Sequence, residues 1–398
     1  MAPDTIYLDN ASTTPLRGEV LDAMLPYLTG EYGNPASIHP MGRTPRDAVA
    51  HARESVASLI GADPSEIYFT SGGSESDNWA LKSAVLGPHP RGRHVIVSSI
   101  EHHAILNTCS HLKSMGVEVT YLPVDRDGLV DPAVVEASIR PDTAVVSVMA
   151  ANNEIGTIQP IREIGGIARD HGVLFHTDAV QAYGQVDLDV TRDNIDLLSA
   201  SAHKLGGPKG VGFLYVRKGV HLDPLIHGGE QERGIRGGTT NVPGVVGFGR
   251  AAELAGAGMA ADSEHERTLR DHLVSRILSE IPYTRLNGHP SSRLPGNANI
   301  SFAFVEGEAL LMSMAMNGIC VSTGSACASG SLDPSHVLLA IGLDHATAHG
   351  SLRFTVSPRN TLGEIDRTVD VLKEVVGRLR AMSPLYEDHI KNGEETRG

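Results

Sequence analysis

With 398 residues, 41% of them hydrophobic and 20% charged, the chain is long enough for one large and one smaller domain around a sizeable core. Its 33 Lys plus Arg against 47 Asp plus Glu leave a net charge of -14, which argues against general binding to nucleic acid or to anionic membranes. No apolar run approaches the roughly 20 residues of a membrane span, and 3 cysteines are too few, and odd in number, for a disulfide framework.

The opening Met1-Ala2-Pro3-Asp4 has no basic segment leading into an apolar one, so no secretory signal is expected and the expected location is cytoplasmic. Residues 15 to about 90 open with helical patterning, most clearly over 46–59. A short strand over 66–70 enters Ser71-Gly72-Gly73-Ser74-Glu75-Ser76, followed by a helix over 77–85. Strand, glycine turn and helix together aim backbone N–H groups at an anion, so this is a phosphate-site candidate.

Further strands are predicted at 94–98, 117–122, 143–149, 173–177, around 195–198 and at 212–216, with helices at 103–114 and 161–171 between them. This alternation implies a mostly parallel or mixed sheet with helices on both faces, in which ligands bind at the carboxyl ends of the strands. From about 245 an Ala- and Gly-rich helix runs to 261, and a separate charged helix covers 263–281. Strands near 299–304 and 352–356 and helices at 308–317 and 362–382 suggest a compact second unit, and the polar end, 386–398, reads as mobile.

Four strand ends would bring polar groups together: Ser71 to Ser74, Asn152-Asn153-Glu154, Asp178 with Gln181, and Ser201-His203-Lys204. Lys204, among small residues where a strand leaves the sheet, is placed to be a partly desolvated, nucleophilic Schiff-base lysine. Asp178 precedes it by 26 positions, enough for one crossover. An acid opposite such a lysine, with a hydroxyl-rich anion cradle, is what pyridoxal phosphate requires. Singly, Asp178 reads equally well as a helix cap, Asn153 as a turn residue and His203 as an interior histidine. Together they are hard to explain that way.

Cys327 sits in Val321-Ser322-Thr323-Gly324-Ser325-Ala326-Cys327-Ala328-Ser329-Gly330-Ser331, whose small residues form no core and leave a thiol on a loop. Cys109 and Cys320 read as packing residues, and no paired Cys-x-x-Cys spacing supports a metal site. His102 follows a strand end and is a candidate stacking partner and acid/base group, with His103 its rival. Arg353 in an apolar strand needs a carboxylate, either internal or from a substrate.

These motifs, with Arg233-Gly234-Ile235-Arg236-Gly237-Gly238-Thr239 and Ser325-Ala326-Cys327, make the chain resemble, over nearly its whole length, the cysteine desulfurases of the class V aminotransferase-like group. Ser331-Leu332-Asp333-Pro334-Ser335-His336 is similar to the group I branch that serves nitrogen-fixation and iron-sulfur assembly. The resemblance implies an α/β protein of the pyridoxal-phosphate fold type I, aspartate-aminotransferase-like. A large mixed-sheet α/β/α domain over 15–260 would be joined by a smaller α+β domain, from 1–14 and 261–398, carrying the Cys loop at about 321–333.

It implies that Lys204 holds the cofactor and later moves protons, that Asp178 meets the pyridine nitrogen and Gln181 the phenolic oxygen, and that His102 stacks on the ring. Gly73, Ser74, Ser201 and His203 would hold the phosphate, with Thr239 from the other subunit of a homodimer. Asn34, Asn153 and Arg353 would bind the substrate carboxylate. Cys327 would take the sulfur of L-cysteine as a persulfide, release L-alanine, and pass the sulfur to a scaffold or other acceptor protein, where it would transiently ligate a cluster without a resident metal. A selenocysteine lyase, or another pyridoxal-phosphate lyase of the same fold, is the alternative.

The chain departs from the family's usual pattern at Ala11-Ser12-Thr13-Thr14, at Pro358-Arg359 and at Leu362-Gly363. None of these is a residue assigned to chemistry.

Overall fold

Runs of β-branched and other apolar residues, buried on both faces, make the strands on which the first half of the chain is built. The computed structural model describes residues 5–86, 91–323 and 334–395. A short strand β1 (Ile6–Tyr7) is followed by helices α1 (Gly18–Thr29) and α2 (Arg43–Ser58). Next come β2 (Ile67–Thr70), α3 (Gly73–Leu86), β3 (His94–Ser98), α4 (His103–Ser114), β4 (Glu118–Leu122), α5 (Pro132–Ser138) and β5 (Thr143–Ser147). The series continues with α6 (Ile161–Asp170), β6 (Leu174–Asp178), β7 (Leu197–Ser201) and β8 (Gly212–Val216).

The strands β2 to β8 form one sheet in the order β2-β8-β7-β6-β5-β3-β4. It is parallel from β7 through β6, β5 and β3 to β4, and β8 runs antiparallel to both its neighbours. Alternate residues feed two cores. Ile96, Val146, Phe175, Leu198 and Phe213 pack with α2, α6 and the start of the next long helix, whereas Val95, Val97, Leu174, Leu197 and Leu214 pack with Trp79 and Leu81 of α3 and with Ile105 and Leu112 of α4. The expected mixed sheet, covered on both faces, is what forms.

Helix α7 (Val242–Glu280) is one continuous element of 39 residues, not the two helices expected on either side of residue 262. Ala261-Asp262-Ser263 contains no breaker, so the change of composition alters what the helix packs on without changing its path. Val245, Phe248 and Ala252 join the core of the large sheet, and Leu269, Leu273 and Ile277 join a second core. The Asn241 side chain caps its start by accepting the Gly244 N–H.

Around that second core lie β9 (Thr284–Asn287), β10 (Asn297–Phe302), α8 (Gly307–Met316), β11 (Ile319–Cys320), α9 (His336–Ala340), α10 (His345–His349), β12 (Ser351–Thr355), α11 (Leu362–Ala381) and α12 (Pro384–Glu395). β12, β10 and β9 form an antiparallel sheet, and β11 pairs in parallel with β1.

The tail expected to be mobile is helical through Glu395, because Pro384 suits a first turn and Tyr386 and His389 pack with Tyr283 and Phe304. Among the described residues no helix is long and apolar enough to cross a membrane.

Candidate active site

The carboxyl ends of β5, β6 and β7 and the start of α3 surround a cavity of about 400 Å³, the size range of sites that bury a cofactor-sized ligand. Its lining includes Gly73, Ser74, His102, Asn153, Asp178, Gln181, Ser201, His203, Lys204 and Arg353. These are ten of the residues singled out from the sequence, brought together from six separate parts of the chain.

Lys204 closes the short turn Ala202–Lys204 that follows β7. Its amine is half-buried and donates to the carbonyls of Ala11 at 2.5 Å and Ser12 at 2.9 Å. The Gln181 amide donates to the same Ala11 carbonyl at 2.9 Å. The N-terminal segment thus forms one wall, through its backbone.

α3 begins at Gly73, four residues earlier than expected, so the glycine turn runs straight into its first turn. The Glu75 carboxylate accepts the Ser71 N–H at 2.7 Å and is paired with Arg236 at 2.9 Å, which fixes this start. Gly72 adopts a φ of +153, and Gly212 of β8 lies so close that a Cβ there would stand 2.7 Å from the Gly72 Cα. First-turn amides, Ser74, Ser201 and His203 therefore form a donor-rich cradle at one end of the cavity. The His203 ring sits with Nδ1 3.1 Å from the Thr13 hydroxyl, and burial, ahead of the nearby Lys204, pulls it down to about 4.

Asp178 ends β6, buried, and accepts the Val180 N–H at 2.9 Å. Burial raises its carboxyl above the usual range, against the pull of His102 and Lys204, so a cation brought to it would be bound strongly. The His102 ring accepts the Ala104 N–H at Nδ1, 3.1 Å away, so the neutral ring carries its proton on Nε2. Burial lowers its pKa. Its neighbour His103 lies instead against His336, with ring centroids 4.9 Å apart.

Arg353 is 2% exposed on β12 and donates to Asp9 at 2.8 Å, to the Ser12 hydroxyl at 2.8 Å and to the Asn153 carbonyl at 3.0 Å. The carboxylate it requires is thus internal, Asp9, yet its Nε has no acceptor, which leaves donor capacity for an anion. Asn152, next to Asn153, has a different job: its side-chain oxygen accepts the N–H groups of Glu154 and Ile155 and shapes the turn. Glu154 is buried, and one of its oxygens accepts the Ser335 hydroxyl at 2.5 Å.

Two expected residues lie elsewhere. Asn34 is exposed between α1 and α2, its side-chain oxygen accepting the Ala36 N–H. Thr239 lines a separate, smaller cleft with Ser71, Arg236 and Asn241. Cys327 lies outside the described residues. Of the other cysteines, Cys109 is buried and its thiol is pushed up to about 12 by burial, whereas Cys320 in β11 is only half-buried. Among the described residues no group of three or more His, Cys, Asp or Glu is arranged to hold a metal ion.

The residues that sequence reasoning did not assign are Ala11, used through its carbonyl, Ser12, used through its carbonyl and its hydroxyl, and Asp77, buried on α3 and lining the cavity. Asp77 had a readable signal: it shares an inward helical stripe with Leu81 and Ala84. An anion cradle, a buried acid and an amine on one cavity fit the phosphate, ring nitrogen and aldehyde of pyridoxal phosphate.

The family model for class-V aminotransferases matches residues 6–368. The cysteine desulfurase IscS of Methanosarcina thermophila is 54% identical over 380 residues, 96% of this chain and 94% of that protein. A solved NifS-like protein superposes with a TM-score of 0.88 at 39% identity, covering 94% of this chain and 99% of its own. SspA, solved in complex with cysteine, gives 0.81 at 40% identity over 90% of this chain and 100% of its own. The fold and site thus define a class-V aminotransferase, a pyridoxal-phosphate enzyme, and within that class the chain belongs to the cysteine desulfurase family.

Proposed function

We propose that this protein converts L-cysteine to L-alanine, with the sulfur retained on Cys327 as a persulfide that passes to an acceptor protein for iron-sulfur cluster assembly. The atoms balance: the thiol of Cys327 gains one sulfur, and the amino acid exchanges its thiol for hydrogen. The observation that carries the reading is the convergence of Lys204, Asp178 and Arg353 on one cavity from three distant parts of the chain.

Bound pyridoxal phosphate supplies a reactive aldehyde and a ring that accepts electrons from the substrate carbon. The chain does the rest. Gly73, Ser74, Ser201 and His203 hold the phosphate, Asp178 holds the proton on the pyridine nitrogen, and Gln181 donates to the phenolic oxygen. Lys204 provides the amine and afterwards carries protons. His102 stacks on the ring and offers the proton on its Nε2. Arg353, steadied by Asp9, and Asn153 hold the substrate carboxylate. No observation supports the contact expected from Asn34.

We further propose a cytoplasmic homodimer in which Thr239 completes the other subunit's phosphate site. Supporting it are the placement of Thr239 outside its own cavity and the exposed Leu21, Leu25, Leu28, Tyr32 and Ile38 on α1 and the loop after it. The proposed division of the chain near residue 260 falls within α7.

Cys327→Ala should keep the visible absorbance of bound cofactor and lose sulfide release from cysteine. Lys204→Ala should lose that absorbance. Retained turnover in the first, or an unchanged spectrum in the second, refutes the assignments. Assays with selenocysteine beside cysteine separate the lyase alternative.

A further inference from the structure

Two buried carboxyl groups line the same cavity, although the ring nitrogen asks for only one. Asp178 ends β6, and Asp77, its side chain 1% exposed, comes from α3. Two ionised acids at this depth would repel each other, and burial penalises the charge on both.

α3 packs on α4 and on β2, β5, β6, β7 and β8. α4 and β8 contribute Ile105, Cys109, Leu112 and Leu214 to the apolar cluster in which α3 packs. β7 contributes the Ser199 hydroxyl, which hydrogen-bonds the carboxyl, and β6 contributes Asp178 and His176. Glu101 is another acid, and Lys204 and His102 act on Asp178 instead. One oxygen of Asp77 has no hydrogen-bond partner and stands 3.7 Å from the His176 Nε2, too far for a bond. His176 is fully buried, with Nδ1 2.8 Å from the Ser147 hydroxyl and Nε2 3.1 Å from the Ser199 hydroxyl. Burial drives its pKa down to about 3, so it remains neutral and offers Asp77 no charge.

We propose that Asp77 is held as the neutral acid in the cofactor-bound protein, a positioning residue that keeps the one buried negative charge of the pair on Asp178, opposite the pyridine nitrogen. The inference rests on the pairing of Asp178 with that nitrogen. It also sets the direction of a hydrogen-bond chain. Asp77 donates to Ser199, Ser199 to the His176 Nε2, and the His176 Nδ1–H to Ser147. An ionised Asp77 would reverse every bond, placing the His176 proton on Nε2.

The test uses the holoenzyme labelled with carbonyl-13C aspartate. At neutral pH its infrared spectrum should contain a protonated aspartate carboxyl stretch that disappears in Asp77→Asn. 15N-histidine spectra, assigned with His176→Gln, should place the His176 proton on Nδ1. The pH midpoint of the cofactor's visible absorbance should be the same in Asp77→Asn as in the wild type. An ionised Asp77 would instead make that midpoint fall by about one pH unit or more on substitution. A holoenzyme without a protonated aspartate, a His176 proton on Nε2, or such a fall overturns the inference. If Asp77→Asn does not fold, the two wild-type spectra decide. Absence of visible absorbance in the wild type overturns the cofactor reading and this inference with it.

Discussion

Glu101 gives the sharpest prediction about pH and stability. It is fully buried just before His102, and one carboxyl oxygen accepts the Ser98 hydroxyl at 2.5 Å and the Met149 N–H at 2.9 Å. The other oxygen has no partner. Burial outweighs both hydrogen bonds, and with Asp178 adding its charge the carboxyl is pushed up to about 8 from the usual 4.5. Between those values the native protein keeps a proton that the unfolded chain has released. Stability from this group is therefore complete below about pH 4.5 and is lost as the pH rises through about 8. From pH 6 to pH 8 the loss is about 2 kcal/mol, since each pH unit removes a little over 1 kcal/mol until the native midpoint is approached.

Glu101→Gln cannot titrate, and its amide oxygen can still accept from Ser98 and Met149. Urea midpoints of wild type and variant, at pH 6 and pH 8 with one protein concentration and saturating cofactor, isolate the contribution, because the other buried acids are common to both. The wild type should lose about 2 kcal/mol more than the variant over this range. Parallel losses would refute the assignment of a buried proton to Glu101.

Arg353→Lys should raise KM for cysteine roughly 10- to 150-fold, the value of one charge-assisted hydrogen bond, and leave the visible absorbance in place. A fall in kcat with KM unchanged would refute its role in holding the substrate. Gly212→Ala forces a methyl group against Gly72 and displaces the start of α3. Overpacking of about 1–3 kcal/mol should raise the cofactor dissociation constant roughly 5- to 150-fold in spectral titrations, and unchanged affinity would refute the close-packed cradle.

Most of the large sheet and most of the site were legible in the sequence because each strand there announces itself twice. Its apolar run gives the strand, and the polar residues just beyond, as in Ser201-Ala202-His203-Lys204, give the end that faces the cavity. What stayed hidden was set by contacts between distant residues. Nothing local in Ala11-Ser12 says that their carbonyls accept the Lys204 amine, because the backbone makes the contact and any side chain would permit it. Asp9 as the partner of Arg353 is likewise a pairing across almost the whole chain. α7 was divided in two because composition changes at residue 262, whereas helix continuity depends on the absence of breakers.

The N-terminal segment explains how an arginine of the second core and a lysine of the large sheet come to line one cavity. Thr14 accepts the Gly206 N–H at 2.8 Å and donates to the His203 carbonyl at 2.8 Å, which ties it to the turn that presents Lys204. A few residues earlier, the Ala11 N–H donates to the Thr355 hydroxyl at 2.9 Å and the Asn10 amide to the Thr355 carbonyl at 2.7 Å, two positions beyond Arg353 on β12. The strap fixes the lysine against the arginine through its own side chains, the Ser12 and Thr14 hydroxyls and the Asn10 amide, as well as through the backbone of Ala11 and Ser12. Within Ala11 to Thr14, where the chain departs from the family's usual pattern, Ala11 acts through atoms that every residue carries, whereas Ser12 and Thr14 also act through their hydroxyls, so those two positions matter to how the lysine and the arginine are held together.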